Sequence, residues 1–352
     1  MSELVRLEAI PVYQNKAYDS VAAALACPRG DLVLVQDARS GFVHNAAYDP
    51  SLLEYDDSYQ NEQGNSTVFR THVAEALAIV ARRFGRKRIL EIGCGKGRFL
   101  EAMLAAGHDA YGVDPAYEGD SDRVIRGDFG PAIGVRGEAI VMRHVLEHVP
   151  APAAFLRTVR DANEGGLIYI EVPCFDWILR RHAWFDLFYE HVNYFRADDF
   201  ARLFGTIVET GHLFGGQYLY VVAALESLRD PAAVPVPPRQ TALPPDFFAG
   251  VAACAAIARD GRRCAVWGAA AKGVMFTHHL LARDVRPACA IDINPAKQGS
   301  YMAGSGLAVL APPDALRRLG ARPRIFVMNS NYLEEIRAMG GAAPDYIAVD
   351  QT

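Results

Sequence analysis

Three short stretches of this sequence hold residue types whose spacing could do chemistry. The first is Glu91-Ile92-Gly93-Cys94-Gly95-Lys96-Gly97, between an apolar run at Ile89–Ile92 and an amphipathic run from Phe99. Glycine lets a backbone turn sharply and approach a ligand with no Cβ in the way. A helix that starts at such a turn offers unpaired N–H groups and a partial positive charge to a carboxylate or phosphate. Asp114 closes the next apolar run, where an acidic side chain can accept both hydroxyls of a ribose. The glycine spacing is GxGxG, one residue short of the dinucleotide fingerprint GxGxxG.

The second stretch is Arg143-His144-Val145-Leu146-Glu147-His148-Val149. Its His144, Glu147 and His148 also fit HxxEH, a zinc-peptidase pattern that needs both imidazoles on one helix face and a third ligand. Its place at the end of a strand, behind a glycine turn, favours a role beside that turn, and no metal ligand is assigned. The third stretch, Trp184-Phe185-Asp186-Leu187-Phe188-Tyr189-Glu190-His191-Val192-Asn193-Tyr194-Phe195, sets Asp186, Glu190 and His191 among aromatic side chains. Imidazole titrates near neutral pH and makes a serviceable general base. Aromatic walls exclude water and can stack on a flat ligand or attract a cation.

The elements that must position these residues follow from periodicity. A helix is expected over about 66–84, with Ser66 as its N-cap and apolar residues at Val68, Phe69, Val73, Ala76, Leu77 and Val80. Strands are expected at Ile89–Ile92, Ala110–Val113, Ile140–Met142 and Leu167–Val172, with helices at Phe99–Ala106 and Ala154–Ala162. Strands alternating with helices mean an open parallel α/β sheet. Prolines at 231, 235, 237, 238, 244 and 245 interrupt the pattern and read as a strap or linker. The βα alternation then restarts at Cys264–Trp267 and continues through Ala288–Ile291, Ile325–Met328 and Tyr346–Val349. Upstream, Leu32–Val35 and Phe42-Val43 are the only strands expected in a short, irregular start. The expected organisation is therefore an N-terminal lid over 1–70, a sheet domain over 71–227, a linker over 228–247 and a smaller sheet domain over 248–352.

The chain has 352 residues, 51% of them hydrophobic and 22% charged, with a net charge of −5. That is enough apolar material for two cores, and it lacks the basic field that nucleic-acid binding needs. No run of about 20 apolar residues and no signal-like start is present, so neither a membrane partner nor export is expected. The six cysteines are scattered, without a CxxC pair, which fits a reducing, cytoplasmic setting. Nothing in the sequence sets an oligomeric state.

Glu91 with the GxGxG turn and Asp114 resembles the first motifs of the class I S-adenosylmethionine-dependent methyltransferases, and HVLEH resembles the segment that follows their fourth strand. The resemblance implies a Rossmann-like fold with S-adenosylmethionine as cofactor. It implies that Glu91, Gly93, Cys94, Gly95 and Gly97 line the methionine end, Asp114 and Pro115 the ribose, and Asp128 and Phe129 the adenine, with Arg143 and His144 alongside. A narrower resemblance covers about residues 55–340. Tyr189-Glu190-His191-Val-Asn-Tyr194-Phe195 is similar to the YEHxxYF segment of the sugar C-methyltransferases. Gly268-Ala-Ala-Ala-Lys272-Gly273, Asp292-Ile-Asn294-Pro295-Ala-Lys297-Gln298-Gly299 and Asn329-Ser-Asn331-Tyr332 resemble tail motifs of that family. Those enzymes methylate a keto-sugar joined to a nucleoside diphosphate. The resemblance implies His191 as the base that forms the enolate, with Tyr189 and Glu190 beside it. It implies a small-molecule acceptor near Tyr55, Tyr59, His148, Lys272, Lys297 and Asn331, with Ser66 and His72 in the segment that closes over it.

The chain departs from that family at three places. Gln36-Asp37-Ala38-Arg39-Ser40-Gly41 stands where a zinc-binding CxxCG pair is expected, so no zinc is expected here. Ala270 replaces a glycine of the tail turn, and Phe188 stands where the family has a tyrosine. Methylation at O, N or S, a non-catalytic S-adenosylmethionine-binding protein, and an NAD-dependent dehydrogenase built on the tail domain are the alternatives the residues leave open.

Overall fold

The structure is a computed structural model that describes residues 1–53 and 64–351. Tyr55 and Tyr59 lie outside the described residues. At its centre is a seven-stranded sheet in the order Ile207–Leu213, Tyr218–Ala224, Leu167–Pro173, Ala139–Arg143, Ile89–Ile92, Ala110–Val113, Val124–Ile125. The last five strands run parallel; Tyr218–Ala224 is antiparallel to both its neighbours. The glycine turn thus leaves the middle one of the five parallel strands, at its C-terminal end, where open α/β sheets bind ligands.

Side chains on the central strands alternate between two cores, as the two-residue strand period demands. Ile89, Val141 and Tyr169 face the helices Thr67–Phe84 and Arg98–Ala105. Leu90, Ile140, Met142, Ile168 and Ile170 face the other way, into a core that continues through Phe175, Trp184, Phe276 and Phe326. The helix over 67–84 forms as its spacing requires. Ser66 Oγ accepts the N–H of Phe69 at 3.2 Å, His72, Ala76, Ile79, Val80 and Phe84 are its buried face, and Gly85 caps it.

The second sheet is five-stranded and wholly parallel, ordered Val309–Leu310, Ala290–Ile291, Cys264–Trp267, Arg324–Val327, Asp345–Ala348. Its first turn opens the helix Ala271–Leu281, and a further helix, Ala249–Ala258, precedes the sheet. The described fold is the expected α/β pair of sheets.

The N-terminal segment differs from its expected irregularity. Ser2–Pro11 is a ten-residue strand paired antiparallel with Arg29–Gln36, which pairs with Val43–Asn45, which pairs with Asn193–Tyr194. The sequence SELVRLEAIP alternates loosely and starts in charge, so periodicity understates it; cross-strand partners supply the rest. The histidine segment is therefore the last strand of the N-terminal sheet, and that sheet is its foundation. Ile207–Leu213 and Tyr218–Ala224 were likewise not expected from the sequence. Among the described residues no helix is long and apolar enough to cross a membrane.

Candidate active site

A cavity of about 440 Å³ separates the two sheet domains, and both glycine turns open into it. One wall comprises Glu91, Gly93, Cys94, Gly95, Arg143, His144, Glu147 and His148; the floor is Phe188, Glu190 and His191; the facing wall includes Lys272, Asn294, Lys297, Tyr332 and Glu335. Aromatic and apolar side chains of the second domain, among them Trp267 and Met328, add to the lining.

The methyltransferase turn is built for close approach. Gly93 and Gly95 have φ of 73° and 53°, in the left-handed region that favours glycine. A Cβ on Gly93 would meet Val145, whereas one on Gly95 would meet nothing, so at Gly95 the missing side chain leaves open space for a ligand. Glu91 lies at the base of this turn, 3% exposed, and its Oε2 has no hydrogen-bond partner. Burial, aided by the nearby Asp114 charge and opposed by Arg143, raises its carboxyl to about 8. A buried acid with an orphaned oxygen fits the ammonium of S-adenosylmethionine, which would satisfy and ionise it.

Asp114 does something other than wait for a ribose. Its Oδ2 accepts the Gly95 N–H at 2.7 Å and its Oδ1 the Ala116 N–H at 2.8 Å. The carboxylate pins the glycine turn to the end of the next strand. Asp292 does the same in the second domain, taking the N–H of Ala269 and of Asn294, both at 2.9 Å. Asp114, Pro115, Asp128, Phe129 and Gly97 are not among the residues that line the cavity. Phe129 is buried in the core, and Pro115 and Asp128 are exposed.

Behind the turn is a buried polar cluster around Glu171. Its carboxylate accepts from Arg143 at 3.0 Å, His72 at 2.9 Å and the Tyr169 hydroxyl at 2.6 Å, and His144 Nε2 stands 3.1 Å away. Burial works against the charge, but these partners hold Glu171 well below the ordinary carboxylate range. For His144, burial opposes protonation, and contacts with Glu147 and Glu171 outweigh it, bringing the imidazole up to about 9. His144 also has φ of 53°, a strained value for a non-glycine residue, at the end of the strand Ala139–Arg143. Arg143 stacks over Phe99 at 4.4 Å. Glu171 and Tyr218 escaped the sequence reading; a lone glutamate inside the apolar strand LIYIEVP was the available signal, since a buried charge must have partners.

His191 has its imidazole held neutral, well below its ordinary value, first by burial and then by the charges of His148, His144 and Lys272. Its ring packs 4.0 Å from that of Phe188 and 5.1 Å from that of His148. A neutral imidazole in a ligand-sized cavity retains a lone pair for chemistry.

The two residues before it are tied to the N-terminal segment. Tyr189 hydroxyl accepts the N–H of Asp49 at 2.7 Å and donates to its carbonyl at 3.3 Å. Its ring lies against Tyr48 and Gly30, so Tyr189 anchors the segment to the N-terminal sheet and does not line the cavity. Glu190 lines the cavity, but its carboxylate accepts the Gln14 N–H at 2.7 Å. Both are positioning residues. Lys272 reaches Asp186 at 2.7 Å across the cavity and lies 5.1 Å above the Trp177 ring. Lys297 is fully enclosed, and burial lowers its ammonium despite the nearby Asp292 and Glu190. Asn331 is spent on the domain interface, donating to the Phe214 carbonyl at 2.9 Å. Ser66 hydroxyl donates to Glu335 at 2.6 Å, and His72 belongs to the Glu171 cluster.

Comparison with known proteins agrees with this geometry. Residues 65–207 match a family of methyltransferase domains, and residues 250–341 match the C-methyltransferase C-terminal domain. Over these two stretches the chain carries a methyltransferase domain and a C-methyltransferase C-terminal domain, and it is an enzyme, a methyltransferase. No curated protein matches it. Solved structures with a similar fold include the 1,6-didemethyltoxoflavin-N1-methyltransferase of Burkholderia thailandensis, at 18% identity and a TM-score of 0.35 over 45% of this chain and 80% of that one. A methyltransferase of Mesorhizobium loti matches at 15% identity and 0.34 over 45% and 99%. The magnesium protoporphyrin IX methyltransferase of Synechocystis matches at 15% and 0.32 over 44% and 80%.

Proposed function

We propose that this methyltransferase acts on carbon, adding a methyl group beside the carbonyl of a keto-sugar joined to a nucleoside diphosphate. The observation that carries the reading is the shared cavity: the methyltransferase glycine turn, the neutral His191 and the tail-domain lysines all open into one space. S-adenosylmethionine supplies the methyl group as an electrophilic sulfonium. Glu91 holds the cofactor's ammonium, and Gly95 lets the chain approach it. Lys272 and Lys297 place two cations on the wall where an acceptor's phosphates would be held. Phe188 and the second-domain side chains keep water from the reacting carbon. The imidazole of His191 serves the removal of the proton beside the ketone, and the cationic side chains near it stabilise the negative charge that develops.

His191→Asn keeps the size and most of the shape of the side chain while removing the basic nitrogen. Turnover is expected to fall by about 10²–10⁴-fold, the usual worth of a general base, with S-adenosylhomocysteine affinity unchanged in calorimetry. Full turnover by this variant would remove His191 from the reaction.

A further inference from the structure

The HxxEH pattern has a counterpart in the fold that methyl transfer alone does not use. Glu147, His148 and His191 each offer one ligand atom, and these atoms all lie within 4.8 Å of one another. All three line the cavity. Glu147 is 1% exposed and neither carboxylate oxygen has a hydrogen-bond partner. The nearest cationic atom given to it is His144 Nδ1, at 3.5 Å. A buried carboxylate in that condition is costly unless it is paired or coordinates a metal.

His148 adds a second, independent observation. Its Nδ1 lies 2.8 Å from the carbonyl oxygen of Glu190. A carbonyl can only accept, so Nδ1 carries the proton and Nε2 keeps its lone pair. Metal-ligating imidazoles are oriented in this way, one nitrogen donating to a carbonyl while the other meets the metal. The backbone of the YEH segment therefore aims His148, and the same segment brings the His191 ring to 5.1 Å from that of His148.

We propose that Glu147, His148 and His191 form a binding site for a divalent transition-metal cation at the acceptor end of the cavity. Two imidazoles and one carboxylate are donors that zinc, iron and cobalt take readily. Three protein ligands leave coordination positions open, and these face the cavity. The other His/Glu group, His72, His144 and Glu171, is comparably compact. There the Arg143 guanidinium already stands on the Glu171 carboxylate at 3.0 Å, where a metal would have to be. Among the described residues no guanidinium is paired with Glu147, His148 or His191. A cation there would meet an oxygen of the acceptor and make the proton beside it more acidic. With the cation bound, the His191 lone pair is on the metal and not free as a base, so the two roles of His191 belong to the cation-bound and the cation-free protein. The effect on the acceptor rests on the keto-sugar reading; binding of the cation does not.

The test uses the full chain, stripped with a chelator and titrated with Co²⁺, followed by visible absorption and calorimetry, with Zn²⁺ as competitor. One Co²⁺ per chain is expected, displaced by Zn²⁺. Glu147→Gln and His148→Asn are each expected to weaken binding by about tenfold or more, and His72→Asn to leave it intact. Retained S-adenosylhomocysteine binding shows that each variant is folded. Absence of saturable Co²⁺ binding, or binding unchanged in folded Glu147→Gln and His148→Asn, overturns the site. A protein that binds Co²⁺ through these residues but methylates no sugar carbon keeps the site and loses the keto-sugar reading, so the two failures are distinguishable.

Discussion

Glu91 is a carboxyl group that the fold keeps uncharged until a ligand arrives. Its value near 8 lies above the ordinary 4.5 because burial penalises the anion. A raised carboxyl favours the fold while it is protonated, so its contribution is complete below pH 4.5 and is lost as pH rises through about 8. On the proposed reading, an ammonium bound here would reverse the preference and expel the proton. S-adenosylhomocysteine should therefore release close to one proton on binding at pH 7, seen as a dependence of calorimetric enthalpy on the buffer's ionisation enthalpy. Its affinity should rise about tenfold per pH unit toward pH 8 and then level. Glu91→Gln should abolish both effects; a wild-type enthalpy independent of buffer would mean that Glu91 is already ionised. Residue type and motif position pointed to Glu91, Gly93, Gly95 and His191, and all four line the cavity. How Tyr189 and Asp114 are engaged within the fold was not legible, for a different reason. Which way a tyrosine points, and whether an aspartate closes its own turn or reaches a ribose, depends on neighbours far along the chain, such as Asp49 for Tyr189.

At the scale of elements, the N-terminal sheet is where most was hidden. Its strands take the histidine segment as a fourth strand, and a chain of arginines ties that sheet to the proline strap. Arg202 donates to the carbonyl oxygens of Ser40, Val236, Arg39 and Pro231 at 2.7–2.9 Å. Arg196 donates to the Gly41 carbonyl at 2.7 Å and pairs with buried Asp199 at 2.9 Å. In the turn that stands in place of a CxxCG pair, Asp37 accepts from the N–H groups of Arg39 and Ser40 and from the Ser40 hydroxyl, at 3.0, 2.7 and 2.9 Å. Hydrogen bonds hold this turn. Single-sequence periodicity is blind to such a network, because it joins residues about 160 positions apart. Arg202→Ala removes the donor from four carbonyls, that of buried Pro231 among them, and a loss of about 1–3 kcal/mol is expected. Urea unfolding should show an earlier midpoint and, because the histidine segment shares the sheet, reduced turnover at temperatures where the wild type is unaffected. An unchanged midpoint would mean that the strap does not depend on this guanidinium.

On the scale of the whole molecule, two sheet domains present their glycine turns to one another across the cavity, joined by contacts that cross it. The Glu335 carboxylate accepts from the Ser66 hydroxyl at 2.6 Å and the Thr67 N–H at 2.7 Å, so the second domain caps the first helix of the methyltransferase domain. A carboxylate at a helix N-terminus is worth roughly 0.3–1 kcal/mol. Glu335→Ala should speed hydrogen exchange in the first turn of that helix and raise KM for the acceptor while leaving kcat nearly unchanged. A fall in kcat at constant KM would place Glu335 in the chemistry instead. That two sheet domains exist was legible from the restart of βα alternation after residue 247. That they close on one cavity was not, since the residues that meet, such as Lys272 and Asp186, share no local pattern.

The central claim is that a carbon beside a ketone receives the methyl group in this cavity. The most direct measurement supplies S-adenosylmethionine labelled with ¹³C in its methyl group, together with a nucleoside-diphosphate-linked keto-sugar, and follows the label by NMR. The account predicts a new methyl resonance coupled to a sugar ring carbon, present with the wild type and absent with His191→Asn. A label found on oxygen or nitrogen, or no transfer to the sugar by a protein that binds S-adenosylhomocysteine, would contradict it.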